Sequence, residues 1–262
     1  MFRAGTSPVW LEKYQALNRE MRGPQQFLIE YAQLIGHPMF CDSDGDDRGY
    51  HFSNPDIRHF CLLKASKSIV SWKSAQVIAK AGFHTEVISL LRVAVEAATL
   101  TKWAASSSSA NASRQYLDRV QKVVSGYFED YERTPTELPA PLKISITDVH
   151  KMLSGLMTSD GDVRLALNGV DPRALQTSVY VRFSKYVHAG YPETIDLFGS
   201  RVGELGLDGS AGSMIKDRES YEAVETIFDT VRLGIALIPM LLDRGSIQKL
   251  SNEATEWLNR FR

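Results

Sequence analysis

The chain is poor in cysteine, in net charge and in long apolar runs, and each shortage removes a class of function. Of its 262 residues only two are cysteines, Cys41 and Cys61, in unrelated contexts and without a CxxC pair. That excludes a disulfide framework and a cysteine zinc site, and it fits a reducing compartment. Lys and Arg number 30 against 31 Asp and Glu, a formal net charge of −1. No whole-molecule field therefore draws in nucleic acid or acidic membrane, which leaves only local patches. The first residues, MFRAGTSPVWLEKY, hold no apolar stretch of signal-peptide length. The most apolar run, LGIALIPMLL at residues 233–242, falls well short of the ~20 residues that cross a bilayer. It reads as a core helix, so the expectation is a cytoplasmic protein without membrane contact. Period-two alternation, βαβ order and internal repeats are missing too. So are a P-loop, a dinucleotide glycine fingerprint, a nucleophile elbow and an HExxH pair. No cofactor is implied.

What is present is helical punctuation. Ser7-Pro8 reads as a cap followed by a first-turn proline, with Gly23 closing the run. A second segment, 24–35, ends at Gly36. After the polar stretch CDSDGDDRGYHFS, Asn54-Pro55 repeats the cap-plus-proline signal. A long helix follows to Gly82, with Phe60, Leu63, Val70, Val77 and Ala81 as its apolar stripe. The next helix covers 85–105, and SSSSANAS after it reads as a flexible connector. A charged amphipathic helix, the proline-rich break TPTELPAP and a Ser-x-x-Asp cap at Ser145 come next. Asp171-Pro172 opens another helix, residues 189–212 form a glycine-rich loop, and 216–243 is a long helix that Pro239 should kink. A short helix at 246–261 ends the chain. The expected fold is all-α, a bundle of about seven to eight helices, with 1–53 as an N-terminal helical extension and polar loop and 54–262 as the main bundle.

Two segments carry chemistry. In the helix at 85–105, Val87, Leu90, Leu91, Ala94 and Ala98 make an apolar stripe, while Arg92, Glu96, Thr99 and Trp103 align on another side. Such a helix is central. Arg92 and Glu96 then form either a structural ion pair or a pair lining a groove. The second segment is YVRFSKYVHAG at 180–190. Arg182, Lys185 and Tyr186 share a face, and His188 lies about 120° from Arg182 on a regular helix. Arg182 and His188 converge if the helix ends near Ala189-Gly190, or if a second chain supplies the partner. Histidine moves protons near neutral pH and arginine stabilises phosphoryl charge, so the pair suits phosphodiester cleavage. Residues 162–190 hold a local excess of two positive charges. The bland alternative is a histidine on the helix dipole flanked by solvated cations.

The other candidates are weaker. Asp42 to Asp47 resembles a calcium loop, but positions six and twelve hold Asp47 and Ser53 rather than glycine and glutamate. His37, His51 and His59 lack ligand spacing, and His84 and His150 read as structural or solvent-exposed. No metal site is expected.

AGFHTEVISLLRVAVEAATLTKWAA, followed by YVRFSKYVHAG, resembles the HEPN-like superfamily of helical toxin and abortive-infection proteins. The shared elements are an Arg with Glu four residues later, then a run Tyr-x-x-x-Ser-x-x-x-His, here Tyr180, Ser184 and His188. Arg182 and His188 match the spacing of the superfamily's Arg–His ribonuclease motif. Many active members place a polar residue directly after the arginine, where this chain has Phe183. The resemblance implies an all-α bundle, a homodimer with facing Arg–His motifs, and metal-independent RNA cleavage by the substrate's 2′-hydroxyl. Arg182 and His188 would be catalytic, and Lys185, Tyr186, Arg92 and Glu96 would hold substrate or support the site. RNA, and a protein partner of a toxin or phage-defence system, are the partners implied. The alternative is a non-catalytic scaffold, sensor or antitoxin-like module on the same fold.

Overall fold

Proline, glycine and short polar caps cut the chain into helices, largely where the sequence predicts. The computed structural model describes residues 7–41, 49–129, 143–167, 171–181, 183–184 and 214–242. Helices α1 (Pro8–Glu20) and α2 (Arg22–Ile35) lead to a short antiparallel hairpin, β1 (Met39–Cys41) with β2 (Gly49–His51). Then come α3 (Ile57–Lys80), α4 (His84–Ser107), α5 (Arg114–Glu129), α6 (Ile146–Ser159) and the one-turn α7 (Gly161–Ala166). A short α8 (Pro172–Leu175) runs directly into a π-helical turn, Gln176–Tyr180. Helix α9 (Met214–Leu237) also passes into a π-helical turn, Ile238–Leu242. The expectation of an all-α bundle holds.

Several boundaries have visible causes. Gly36 ends α2 at φ 100° and Gly82 turns the chain between α3 and α4 at φ 87°, both in the left-handed region that favours glycine. The Ser145 hydroxyl accepts the Asp148 N–H at 3.1 Å, the cap read from Ser-x-x-Asp. Pro239 sits where α9 widens into its π turn, as the missing N–H there requires.

Other boundaries differ. The first break is at Met21, fully buried, and Gly23 lies inside α2. The cap of α3 is Asp56, not Asn54: its carboxylate accepts the N–H groups of Arg58 and His59, while His59 Nδ1 reaches back to the Asp56 N–H. The serine run is no loose connector, because α4 continues through Ser107, and Ser106 and Ser107 are fully buried.

Helices α3 and α4 form an antiparallel pair across the Gly82 turn, and α9 lies against both. At the closest approach of α4 and α9, a Cβ on Gly234 would stand 3.2 Å from the Ala98 carbonyl oxygen. The Trp72 indole on α3 donates to the Val224 carbonyl of α9 at 2.9 Å. Helix α6 covers another side of α4. Tyr14, Met21, Phe27 and Tyr31 of α1 and α2 join the same core as Trp72, Leu91 and Ile235. On α3 the buried face runs through Cys61, Ala65, Ile69, Trp72, Ala75 and Ala79; of the expected stripe Phe60 is buried with it, Leu63 is half-buried, and Val70, Val77 and Ala81 are exposed. Val70 and Val77 face outward, 57% and 64% exposed. Among the described residues no helix is long and apolar enough to cross a membrane.

Candidate functional site

Of the apolar stripe expected on α4, Val87, Leu91, Ala94 and Ala98 are sealed from solvent and Leu90 is partly buried against the core. The aligned polar residues are the unusual part. Arg92 and Glu96 form an ion pair at 3.0 Å, with side chains 17% and 29% exposed. They are shielded but not sealed. Between them sits the hydroxyl of Tyr180, at the end of the π turn. It accepts from Arg92 Nη2 at 3.1 Å and donates to Glu96 Oε1 at 3.0 Å. The Arg92 guanidinium also lies 5.3 Å from the centre of the Tyr180 ring, within cation–π range. Burial works against the Arg92 charge, but the Tyr180 hydroxyl and the Glu96 carboxylate outweigh it and hold the group firmly protonated. The clasp therefore joins three groups that the sequence singled out in two separate segments, Arg92 and Glu96 in one and Tyr180 in the other.

The clasp accompanies a local change of helix type. A regular helix from Pro172 onward was expected, whereas Gln176–Tyr180 adopts the wider π form. Single π turns inside helices mark functional positions often enough to be informative. After it, the Ser184 hydroxyl donates to the Tyr180 carbonyl at 2.9 Å. Phe183 is buried, which accounts for an apolar side chain directly after the arginine. Arg182, Lys185, Tyr186 and His188 lie outside the described residues, as do the acidic loop 42–47, the proline-rich break, the 189–212 loop and the terminal segment 246–261.

Two further residues adjoin the clasp. His150 of α6 is fully buried, which leaves the structural one of its two readings, and its ring centre is 6.3 Å from that of Tyr180. Its Nδ1 stands 2.8 Å from the Ile146 carbonyl. A carbonyl only accepts, so Nδ1 carries the proton and Nε2 is bare in the neutral ring. Burial, with Lys102 nearby, pushes the ring down from its ordinary value, although the Ile146 hydrogen bond opposes this. Lys102 of α4 is 6% exposed, and burial pushes it down to about 8. The sequence carried a signal for it, as the single charge in AATLTKWAA.

A Ser–His–Asp grouping, not anticipated from the sequence, lies at the other end of α4. His84 Nδ1 is 2.6 Å from the Ser220 hydroxyl, and Nε2 is 3.6 Å from Asp217 Oδ1. The trio does not form a nucleophile, because Ser220 and Asp217 are sealed, with Asp217 only 2% exposed. Burial pushes the Asp217 carboxyl above its usual range, opposed by the Ser7 backbone N–H. That N–H faces the carboxylate without closing a full hydrogen bond. The group ties the starts of α4 and α9 together.

No three His, Cys, Asp or Glu side chains converge as metal ligands among the described residues. The chain matches no family model, no curated protein and no solved structure.

Proposed function

We propose that the chain is a metal-independent RNA-cleaving protein of the HEPN-like kind, acting in a toxin or phage-defence system as a homodimer. The observation that carries the reading is the clasp of Arg92 and Glu96 on Tyr180. It ties the central helix to a residue two positions ahead of Arg182. The Arg–Glu pair of the first resembling segment thus meets the second segment through a specific contact. In the proposed reaction the RNA 2′-oxygen attacks the adjacent phosphorus and the 5′-oxygen leaves, giving a 2′,3′-cyclic phosphate and a free 5′-hydroxyl. His188 moves the protons and Arg182 holds the phosphoryl charge, with Lys185 and Tyr186 on the flanking backbone.

Cleavage of mixed RNA in EDTA tests this. His188→Ala should lower the rate by roughly 10²–10⁴-fold and leave the circular dichroism spectrum unchanged. Equal cleavage by both proteins, or none by either, would sink the reading. In the latter case the second reading takes over, a non-catalytic interaction module. The outward-facing Val70 and Val77 favour it, since an apolar strip on a long helix suits a docked partner. Sedimentation equilibrium separates a dimer from a 29.3 kDa monomer.

A further inference from the structure

Thr99, Lys102, Trp103 and Ser106 stand at i, i+3, i+4 and i+7 on α4, so they form one continuous patch. All four are buried. The Thr99 hydroxyl, the Trp103 indole N–H and the Ser106 hydroxyl have no hydrogen-bond partner. Lys102 likewise has no ion pair among the described residues, and no carboxylate contributes to its electrostatics. Across from Lys102, on α6, lies His150, whose Nε2 is also buried and unpartnered. Unsatisfied buried polar groups are rare in folded proteins and individually unfavourable. Others occur elsewhere in the molecule, but Thr99, Trp103 and Ser106 share one face of α4 with Lys102, whose ammonium has no counter-ion among the described residues and is felt by His150.

We propose that this patch between α4 and α6 binds a phosphate group. The donors and the ammonium call for an oxyanion. The bare Nε2 of His150 narrows the choice, because it accepts a hydrogen bond and so needs a ligand that keeps a proton. A monoanionic phosphate has P–OH groups to donate there. Sulfate and carboxylate are fully deprotonated near neutral pH and would set a lone pair against a lone pair. The proposal uses neither Arg182 nor His188 and does not rest on the RNA reading.

Calorimetric titration of the full chain at pH 7 with inorganic phosphate tests the proposal. Wild type should bind phosphate, and its melting temperature should rise with phosphate concentration. Sulfate should bind roughly tenfold more weakly or worse. Lys102→Met should lose phosphate binding by roughly tenfold or more, while its own melting temperature without ligand stays equal to or above that of wild type. Thr99→Val, which keeps the shape and deletes one donor, should weaken binding severalfold and guards against a misfolded Lys102 variant. A nucleoside 5′-monophosphate titrated alongside distinguishes the source. Tighter binding than phosphate assigns the group to an ester, and weaker binding assigns it to the free ion. No heat and no melting shift with either ligand, or equal phosphate affinity in wild type and Lys102→Met, overturns the proposal. Sulfate binding as tightly as phosphate overturns the role given to His150.

Discussion

Helix α4 has two buried faces built on opposite terms. Toward α9 it presents Val87, Leu91, Ala94 and Ala98, with Gly234 admitting the neighbouring backbone to close range. Nothing polar from a side chain is left open along that stripe. Toward α6 and the π turn it presents Arg92, Glu96, Thr99, Lys102, Trp103 and Ser106, spread over about 21 Å of helix. The first face is sealed from water, and so are Thr99, Lys102, Trp103 and Ser106 of the second, while Arg92 and Glu96 are only shielded. Apolar burial is favourable in proportion to area, whereas a buried, unpartnered donor costs about 1–3 kcal/mol. The first face holds the bundle together. The second carries a cost at its unpartnered groups.

Three measurements would break or sharpen this contrast. The largest effect should come from the apolar face. Leu91→Ala removes a fully buried side chain and should lower unfolding free energy by about 2–5 kcal/mol in denaturant titrations. A loss below about 1 kcal/mol would mean that α4 is not central to the core.

The polar face should respond less. Tyr180→Phe keeps the ring and deletes the hydroxyl, leaving Arg92 and Glu96 paired with each other. The expected loss is about 1 kcal/mol, together with faster amide exchange localised to residues 171–184. Uniformly faster exchange throughout the chain would argue that Tyr180 is only a packing residue.

The third measurement is the pH dependence of Lys102. Burial lowers this amine from 10.5 to about 8, so between those values the unfolded chain binds its proton more tightly than the folded one. Stability from this group therefore rises with pH across the window, and its cost is fully present below pH 8. Lys64, lowered by burial to about 8, has the same sign, and Tyr14, raised by burial, has the opposite sign above pH 10. Subtracting the melting curves of Lys102→Met from those of wild type isolates Lys102. The advantage of the variant should shrink as pH rises from 8 to 10, and a pH-independent difference would contradict an uncompensated charge.

The two faces were legible to different degrees. The period of Val87, Leu91, Ala94 and Ala98 placed the apolar stripe, and the same helix geometry aligned Arg92 with Glu96. Local chemistry also fixed the ends at Gly36, Gly82 and Ser145. On α3 that reasoning placed Phe60 correctly but put Val70 and Val77 on the buried side. Apolar side chains occur on several of its faces, and Ser68, Ser71 and Gln76 are buried among them. Gln76 earns its place through a bond from Asn18 of α1 at 2.7 Å, a contact 58 residues away in sequence. The serines after Trp103 misled in the same way: a small hydroxyl suits a linker, but it also suits a close helix contact. The π turn was not readable because its companion contact, the hold on Tyr180, comes from another helix. The hairpin was missed because each strand is only three residues long, too short for a period-two pattern to register.

Trp103 and Trp72 together give the molecule an optical gauge. Both indoles are fully buried, but Trp72 donates to the Val224 carbonyl whereas the Trp103 N–H is unpartnered and one residue from a charged amine. Indole emission shifts with the local electric field and with hydrogen bonding at its nitrogen. Discharging Lys102, or seating an anion beside it, therefore changes the colour of Trp103 and leaves Trp72 as a steady internal reference. Trp10 and Trp257 emit as well, so the signal of the polar face is the part of the spectrum that Trp103→Phe removes.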